Sequence, residues 1–207
     1  MSSKSLPFAV GESPFRVKGS ICRGCVEYLS EHARGGLASV LAALPDPALR
    51  RYFEQSFLAS AWYDSACLDP LLATAARLEG QRYESYLNQV FDTQAARNQR
   101  GVYKLLLSAI SPEMLVKRLP GIGSQLFSFT RSEVREIAPG HWENAITGVP
   151  ALLQTIYCES SGAFVSRALR TTGARELQHR WLEPRPAPSV HGVAILTVVR
   201  ELRWRVG

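Results

Sequence analysis

An α+β domain, with helices laid over one face of a small antiparallel sheet, is the fold class this sequence predicts, and three observations predict it. Apolar residues recur at helical spacing from Trp62 to Leu126. Beyond Phe127 the pattern changes to short runs separated by turn residues such as Pro139-Gly140. The blocks follow one another as helices, β-hairpin, helix, β-hairpin, an order that suits an antiparallel sheet covered by helices.

Residues 1–14 are rich in Ser, Pro and Gly and read as a flexible lead-in, with 15–207 as a single domain. Phe15 to Gly19 reads as a short extended segment, and Ser20 as the N-cap of a helix reaching about Ala33. Gly35-Gly36 interrupts it before Leu37–Leu44, and Pro45-Asp46-Pro47 opens the next helix, with Leu49, Tyr52, Phe53 and Phe57 apolar. Asp69-Pro70 has the composition of an N-cap and N1 pair for a helix ending at Gly80. Helical spacing resumes from about Arg82 to Ile110, with Gly101 as its weak point. Ser111-Pro112-Glu113 restarts the helix with a cap, an N1 proline and an acid at the positive dipole end, and Leu119-Pro120 is predicted to stop it. Arg131–Ala138 and His141–Thr147 read as a hairpin, and Pro150–Arg170 as a helix. Ala174–Leu182 and Val193–Arg205 read as two further strands, held apart by a stiff link at Pro184, Pro186 and Pro188.

Composition narrows the function classes. The chain has 46% hydrophobic and 20% charged residues, ordinary for a globular protein of 207 residues. The most apolar stretch, Val102–Val116, is interrupted by Lys104, Pro112 and Glu113, so no membrane span is predicted. The apolar patch Leu6–Val10 is too short for a signal-peptide core, and the expected location is cytoplasmic, with all four cysteines reduced. Cys22-Arg-Gly-Cys25 has the spacing of a metal knuckle or redox pair. No second pair accompanies it, and Cys22, Cys25, Val26, Leu29 and Ala33 fit one helix face, so the reading adopted is core. No metal site is named.

Of the formal charge of +6, a net +5 lies from Val165 onward, where eight arginines face three glutamates. Arg167, Arg170, Arg175 and Arg180 are read as a basic surface for an acidic partner. No helix-turn-helix, zinc-finger or aromatic-basic RNA motif accompanies them, so nucleic acid is not the expected partner. No Gly-x-Ser-x-Gly elbow is present, and Gly121-Ile-Gly123-Ser lacks the strand and lysine of a phosphate loop. No catalytic residue is therefore named. Trp62, Tyr63, Tyr103, Leu107, Phe127, Phe129 and Tyr157 fall where the elements should converge and are the expected lining of any internal cleft.

Trp62-Tyr63, Pro70–Leu78, Gly101–Leu107, Ser111–Glu113 and Arg118–Pro120 resemble a myxobacterial paralogous family of unknown function. The element order is similar to the haem-NO-binding, vinyl-reductase and TRAPP-subunit domains. That resemblance implies an apolar cleft between helices and sheet, and in several relatives a dimer. Haem in such a domain needs an axial histidine on the helix before the hairpin and a Tyr-x-Ser-x-Arg run. This chain has no histidine between His32 and His141 and reads Phe127-Ser-Phe-Thr-Arg131, so no cofactor is expected and haem is not. An acyl-carrying cysteine of the TRAPP type would have to be Cys67, which is read instead as core.

The sequence thus predicts a non-enzymatic regulatory, sensory or scaffolding domain with a small apolar or amphipathic ligand in a cleft, partnered by a protein or a second copy of itself. The alternative is an interaction module with a solid core that binds an acidic partner through its arginines.

Overall fold

The computed structural model describes the backbone of residues 8–99 and 102–205, and the side chains of all of these except 102–104. The chain divides into two compact units, one reaching to Val90 and one starting at Phe91.

The first unit carries β1 (Arg16–Lys18), α1 (Gly19–His32), α2 (Gly36–Ala43), α3 (Pro47–Phe53), β2 (Trp62–Asp64), α4 (Leu68–Leu78) and the start of α5 (Tyr83–Asn98). β1 and β2 form an antiparallel pair that the sequence did not announce at Trp62. The expected cap Ser20 lies inside α1, which begins at Gly19 with Lys18 before it. Gly19 fits there because a Cβ would overlap the carbonyl oxygen of Leu58. Asp46 caps α3 as predicted, its carboxylate accepting from Ala48 N at 2.8 Å. Asp69 does not cap α4: a 3₁₀ turn, Ser65–Cys67, precedes the helix, and Asp64 accepts from Ala66 N at 2.9 Å. Asp69 sits within the first turn and accepts from the Tyr83 hydroxyl at 2.7 Å.

Of the expected lead-in, residues 1–7 lie outside the described residues. The following stretch is tied down, because Gly11 N and Ser13 N both donate to Asp64 Oδ2 at 3.1 Å and Ser13 is fully buried. Cys22, Cys25 and Leu29 are fully buried on one face of α1, as the periodicity required, and Leu68, Leu71 and Leu72 are fully buried on α4. Each such leucine contributes about 1.5–3 kcal/mol of burial.

The second unit carries the rest of α5, then α6 (Val102–Ser108), α7 (Pro112–Leu126), β3 (Arg131–Ala138), β4 (His141–Pro150), α8 (Gln154–Thr171), β5 (Arg175–Trp181), β6 (Arg185–Val190) and β7 (Val193–Arg205). The sheet is wholly antiparallel, in the order β3-β4-β7-β5, with β6 beside the other half of β7. The proline link is thus a strand. Its only described pairing is with β7, so the missing N–H groups of Pro186 and Pro188 are tolerated at an edge. Ser111 caps α7 as predicted, but the helix continues through Pro120 to Leu126. An interior proline costs about 3 kcal/mol. Leu115, Val116 and Leu119 are buried on the inner side, and Ile122 continues that packing past the proline.

The core of this unit lies between the sheet and α7 and α8. Trp142, Leu202 and Trp204 meet Leu115, Val116, Leu119, Val165, Ala168 and Leu169 there. The opposite face of β5 and β7 is charged: Glu201 Oε2 accepts from Arg180 Nη2, and its Oε1 from Arg203 Nη2, both at 2.7 Å, with His141 Nε2 at 2.9 Å.

Candidate functional site

Strand β7 places Val198, Arg200, Leu202 and Trp204 on its helix-facing side. Arg200 therefore falls in an otherwise apolar row. Register puts Asn144 of β4 and Trp181 of β5 on either side of it, and His179 opposite Leu202. Helix α8 supplies the roof. Gly162 allows close contact, since a Cβ there would lie 3.1 Å from His179 Cε1 and 3.5 Å from Trp181 Nε1.

The roof and floor enclose a polar island. Arg200 is 3% exposed. It donates from Nη1 to Ser161 O and from Nη2 to Ser161 Oγ, both at 3.3 Å, and sits 4.8 Å from the Trp181 ring. The Tyr157 hydroxyl lies close to Arg200 and Ser161, both of which favour its ionised form. No carboxylate among the described residues pairs with this guanidinium. A desolvated cation–π contact is worth about 2 kcal/mol, less than the several kcal/mol of burying an ion. Four buried atoms on this sheet face have no partner among the described residues: Arg200 Nε, Asn144 Oδ1, His179 Nε2 and Trp142 Nε1. Buried polar atoms in folded proteins are nearly always paired, with protein or with ordered water, so four on one face single this region out.

The electrostatics follow from burial. Desolvation, with Arg200 and Arg170 nearby, lowers His179 from 6.5 to about 4, so its ring is neutral at pH 7. Its Nδ1 is 2.9 Å from Ser166 Oγ. Burial raises Tyr157 and pushes the Cys158 thiol up to about 12, although Arg200 opposes both shifts. The island offers donors and a positive charge, a thiol that stays protonated and an imidazole that is a weakened base.

Beside the island lies an aromatic wall. The Tyr157 ring centroid is 4.9 Å from Phe127, 6.5 Å from Phe129 and 6.5 Å from Trp181. Phe127 is buried, whereas Phe129 and Trp181 are partly exposed. Three of the expected lining residues, Phe127, Phe129 and Tyr157, are thus brought together. Leu107 is buried in the core between α7, α8 and the sheet. The Tyr103 side chain lies outside the described residues. Trp62 and Tyr63 belong to β2 in the first unit, where Trp62 is 40% exposed beneath the Lys18 ammonium at 4.1 Å, and the Tyr63 hydroxyl accepts from Leu58 N at 2.9 Å.

The four arginines expected to bind a partner are distributed over two elements. Arg167 and Arg170 are exposed on α8, whereas Arg175 and Arg180 are exposed on β5 and Arg180 is engaged with Glu201. A pocket of about 320 Å³ on the far face of the sheet is lined by Gln178, Arg180, Glu201 and Arg203. Arg200, one of the eight arginines of the basic segment, is buried and adds nothing to a basic surface. The signal that identifies it is present in the sequence: in Val198-Val-Arg-Glu-Leu-Arg-Trp204 it shares a parity with Val198, Leu202 and Trp204.

No family model matches the chain, and no curated protein does. Solved structures do. A mutant of the T. tengcongensis H-NOX aligns with a TM-score of 0.65 at 8% identity, covering 91% of this chain and 98% of that one. An oxygen-binding H-NOX domain related to soluble guanylate cyclases gives 0.62 at 11% identity, covering 91% and 95%. A structure from a study of haem distortion in the H-NOX family gives 0.64 at 11%, covering 91% and 95%. The fold is that of the H-NOX domains, which bears out the likeness to haem-NO-binding domains at the level of architecture.

The residues do not fit a haem of that kind. The four histidines lie on α1, β4, β5 and the β6–β7 turn, none on α5, α6 or α7. The His32 ring stacks on Tyr28 at 4.5 Å, His141 is held by Glu201, and the unpartnered Nε2 of His179 is buried. At Phe127-Ser-Phe-Thr-Arg131, Phe127 is buried as a hydrocarbon and Arg131 is exposed. The described residues also include no group of three or more His, Cys, Asp or Glu placed to hold a metal ion.

Proposed function

We propose that residues 15–207 form a non-enzymatic sensory or regulatory domain. It takes up a small apolar or amphipathic molecule without haem and passes the event to a protein partner, a second copy of the chain included. The observation that carries this reading is the set of four unpartnered polar atoms on the helix-facing side of the sheet, Arg200 Nε and His179 Nε2 among them under α8, with the wall of Phe127, Phe129 and Tyr157 beside Arg200. A fold shared with domains that bind oxygen and carry haem supports a ligand-binding role. The protonated Cys158 thiol and the lowered basicity of His179 favour binding over turnover. Ligand binding would act by shifting the packing of α8 on the sheet.

Native mass spectrometry of freshly purified protein, with its absorption spectrum, tests the proposal. A retained small-molecule mass and no Soret band are expected. A bare chain under gentle conditions, or a haem-type spectrum, sinks it.

Exposed Arg167 and Arg170, three residues apart on α8, favour a second reading, in which the chain is a solid interaction module for an acidic partner. Affinity for an acidic peptide that falls steeply with salt supports that reading, and salt-independent binding removes it.

A further inference from the structure

The ligand's chemical class can be read from the polar island, an inference that rests on the binding role just proposed. Arg200 brings one formal positive charge into the layer between α8 and the sheet, and its described partners are neutral: Ser161, Tyr157 and Trp181. The nearest carboxylate in sequence, Glu201, faces the other side of the sheet and is already held by Arg180, Arg203 and His141. The Nε–H of Arg200 has no partner among the described residues. Elsewhere on the same sheet that edge of a guanidinium is used on a carboxylate: Arg180 Nε and Nη2 reach Glu201 Oε2 at 3.1 and 2.7 Å.

His179 adds a second donor. When the Ser166 hydroxyl donates to Nδ1, the ring proton sits on the unpartnered Nε2. One cation and neutral donors suit a monoanion, and a planar carboxylate matches the guanidinium edge. The adjoining wall is hydrocarbon: Phe127 and Phe129 stand edge-on at 5.8 Å, and the Tyr157 ring contacts both. Tyr157 joins the two surfaces, its ring in the wall and its hydroxyl close to Arg200. Phe129 and Trp181, at the rim of this wall, are partly exposed.

We propose that this place binds a small organic acid, its carboxylate on the Nε edge of Arg200 and its apolar or aromatic body against Phe127, Phe129 and Tyr157. Every residue involved lies in the second unit.

Calorimetric titration of the whole chain with benzoate and octanoate, each against its neutral amide and against formate, tests this. The acids are expected to bind saturably, with the amides and formate roughly tenfold weaker or more, as for loss of one charge-assisted contact or of the apolar body. Arg200→Met should lose acid binding by a similar factor. Its thermal midpoint without ligand should be no lower than that of the parent, because it removes an uncompensated buried charge at similar volume. If R200M fails to fold, the acid-against-amide comparison on the parent chain still decides. Acids and amides binding equally, formate matching benzoate, no acid binding at all, or unchanged acid binding in R200M would each overturn the proposal. A neutral molecule retained in native mass spectra and bound equally by R200M would remove only this inference and leave the sensory role standing.

Discussion

Gly148 is the residue on which the aromatic wall turns. It interrupts the β4–β7 register between Ile146 and Val149, with φ at +87°, and a Cβ there would overlap the carbonyl oxygen of Phe129. A bulge of this kind bends the strand and permits close backbone approach, here to the carbonyl of a wall residue. Gly148→Ala combines left-handed backbone strain with a clash against main chain that has little room to retreat. The expected loss is more than about 2 kcal/mol. A urea-denaturation midpoint unchanged from the parent would show that β4 and Phe129 relax apart freely and that the wall is not rigid. Gly162 has a milder role, since its neighbours are side chains rather than backbone.

At the scale of elements, the docking of α8 on β5 has its own acid sensitivity. His179 is neutral in the fold, with its pKa lowered from 6.5 to about 4 by burial and by the arginines near it. The unfolded chain takes up a proton at this ring as pH falls through about 6.5, and the folded chain does not until about 4. Between those values the unfolded state binds more protons, so stability falls with falling pH across that window. His179→Gln should remove this component while keeping a partner for Ser166. As pH falls through that window, the thermal midpoint of the parent should drop more steeply than that of H179Q; parallel curves would refute the assignment. The elements themselves were legible where local chemistry decides them, as at the Asp46 and Ser111 caps and the Pro139-Gly140 turn. They were not legible where packing overrides a local signal, as at Pro120 inside α7. Nor were they legible where pairing partners lie far apart in sequence, as for β2, which pairs with the expected segment β1, or where prolines disguise a strand, as for β6 beside the expected β7. Arg200 was hidden for a related reason: parity shows which face a residue shares, but only the fold shows that α8 covers that face.

Across the whole molecule, cysteine burial converts the fold into a measurable quantity. All four thiols are free and buried. Cys22 and Cys67 are raised chiefly by burial, Cys67 to about 12, and Cys22 feels Cys25 and Cys67 as neighbours. Cys158 sits apart, in the second unit, on α8. A thiol reagent attacks the thiolate, so it must wait for an opening that both exposes the sulfur and restores an ordinary pKa. Reaction rates under native conditions then report the opening free energy of the surrounding structure. Cys22, Cys25 and Cys67 should label at one shared slow rate, because exposing any of the three disrupts the packing of the others. Cys158 should follow its own rate, and an organic acid held at Arg200 should slow it, because the ligand is lost when α8 lifts from the sheet. Labelling that is immediate at any of the four would contradict the burial. Protection of Cys22, Cys25 and Cys67 by the acid with none at Cys158 would place ligand binding in the first unit instead.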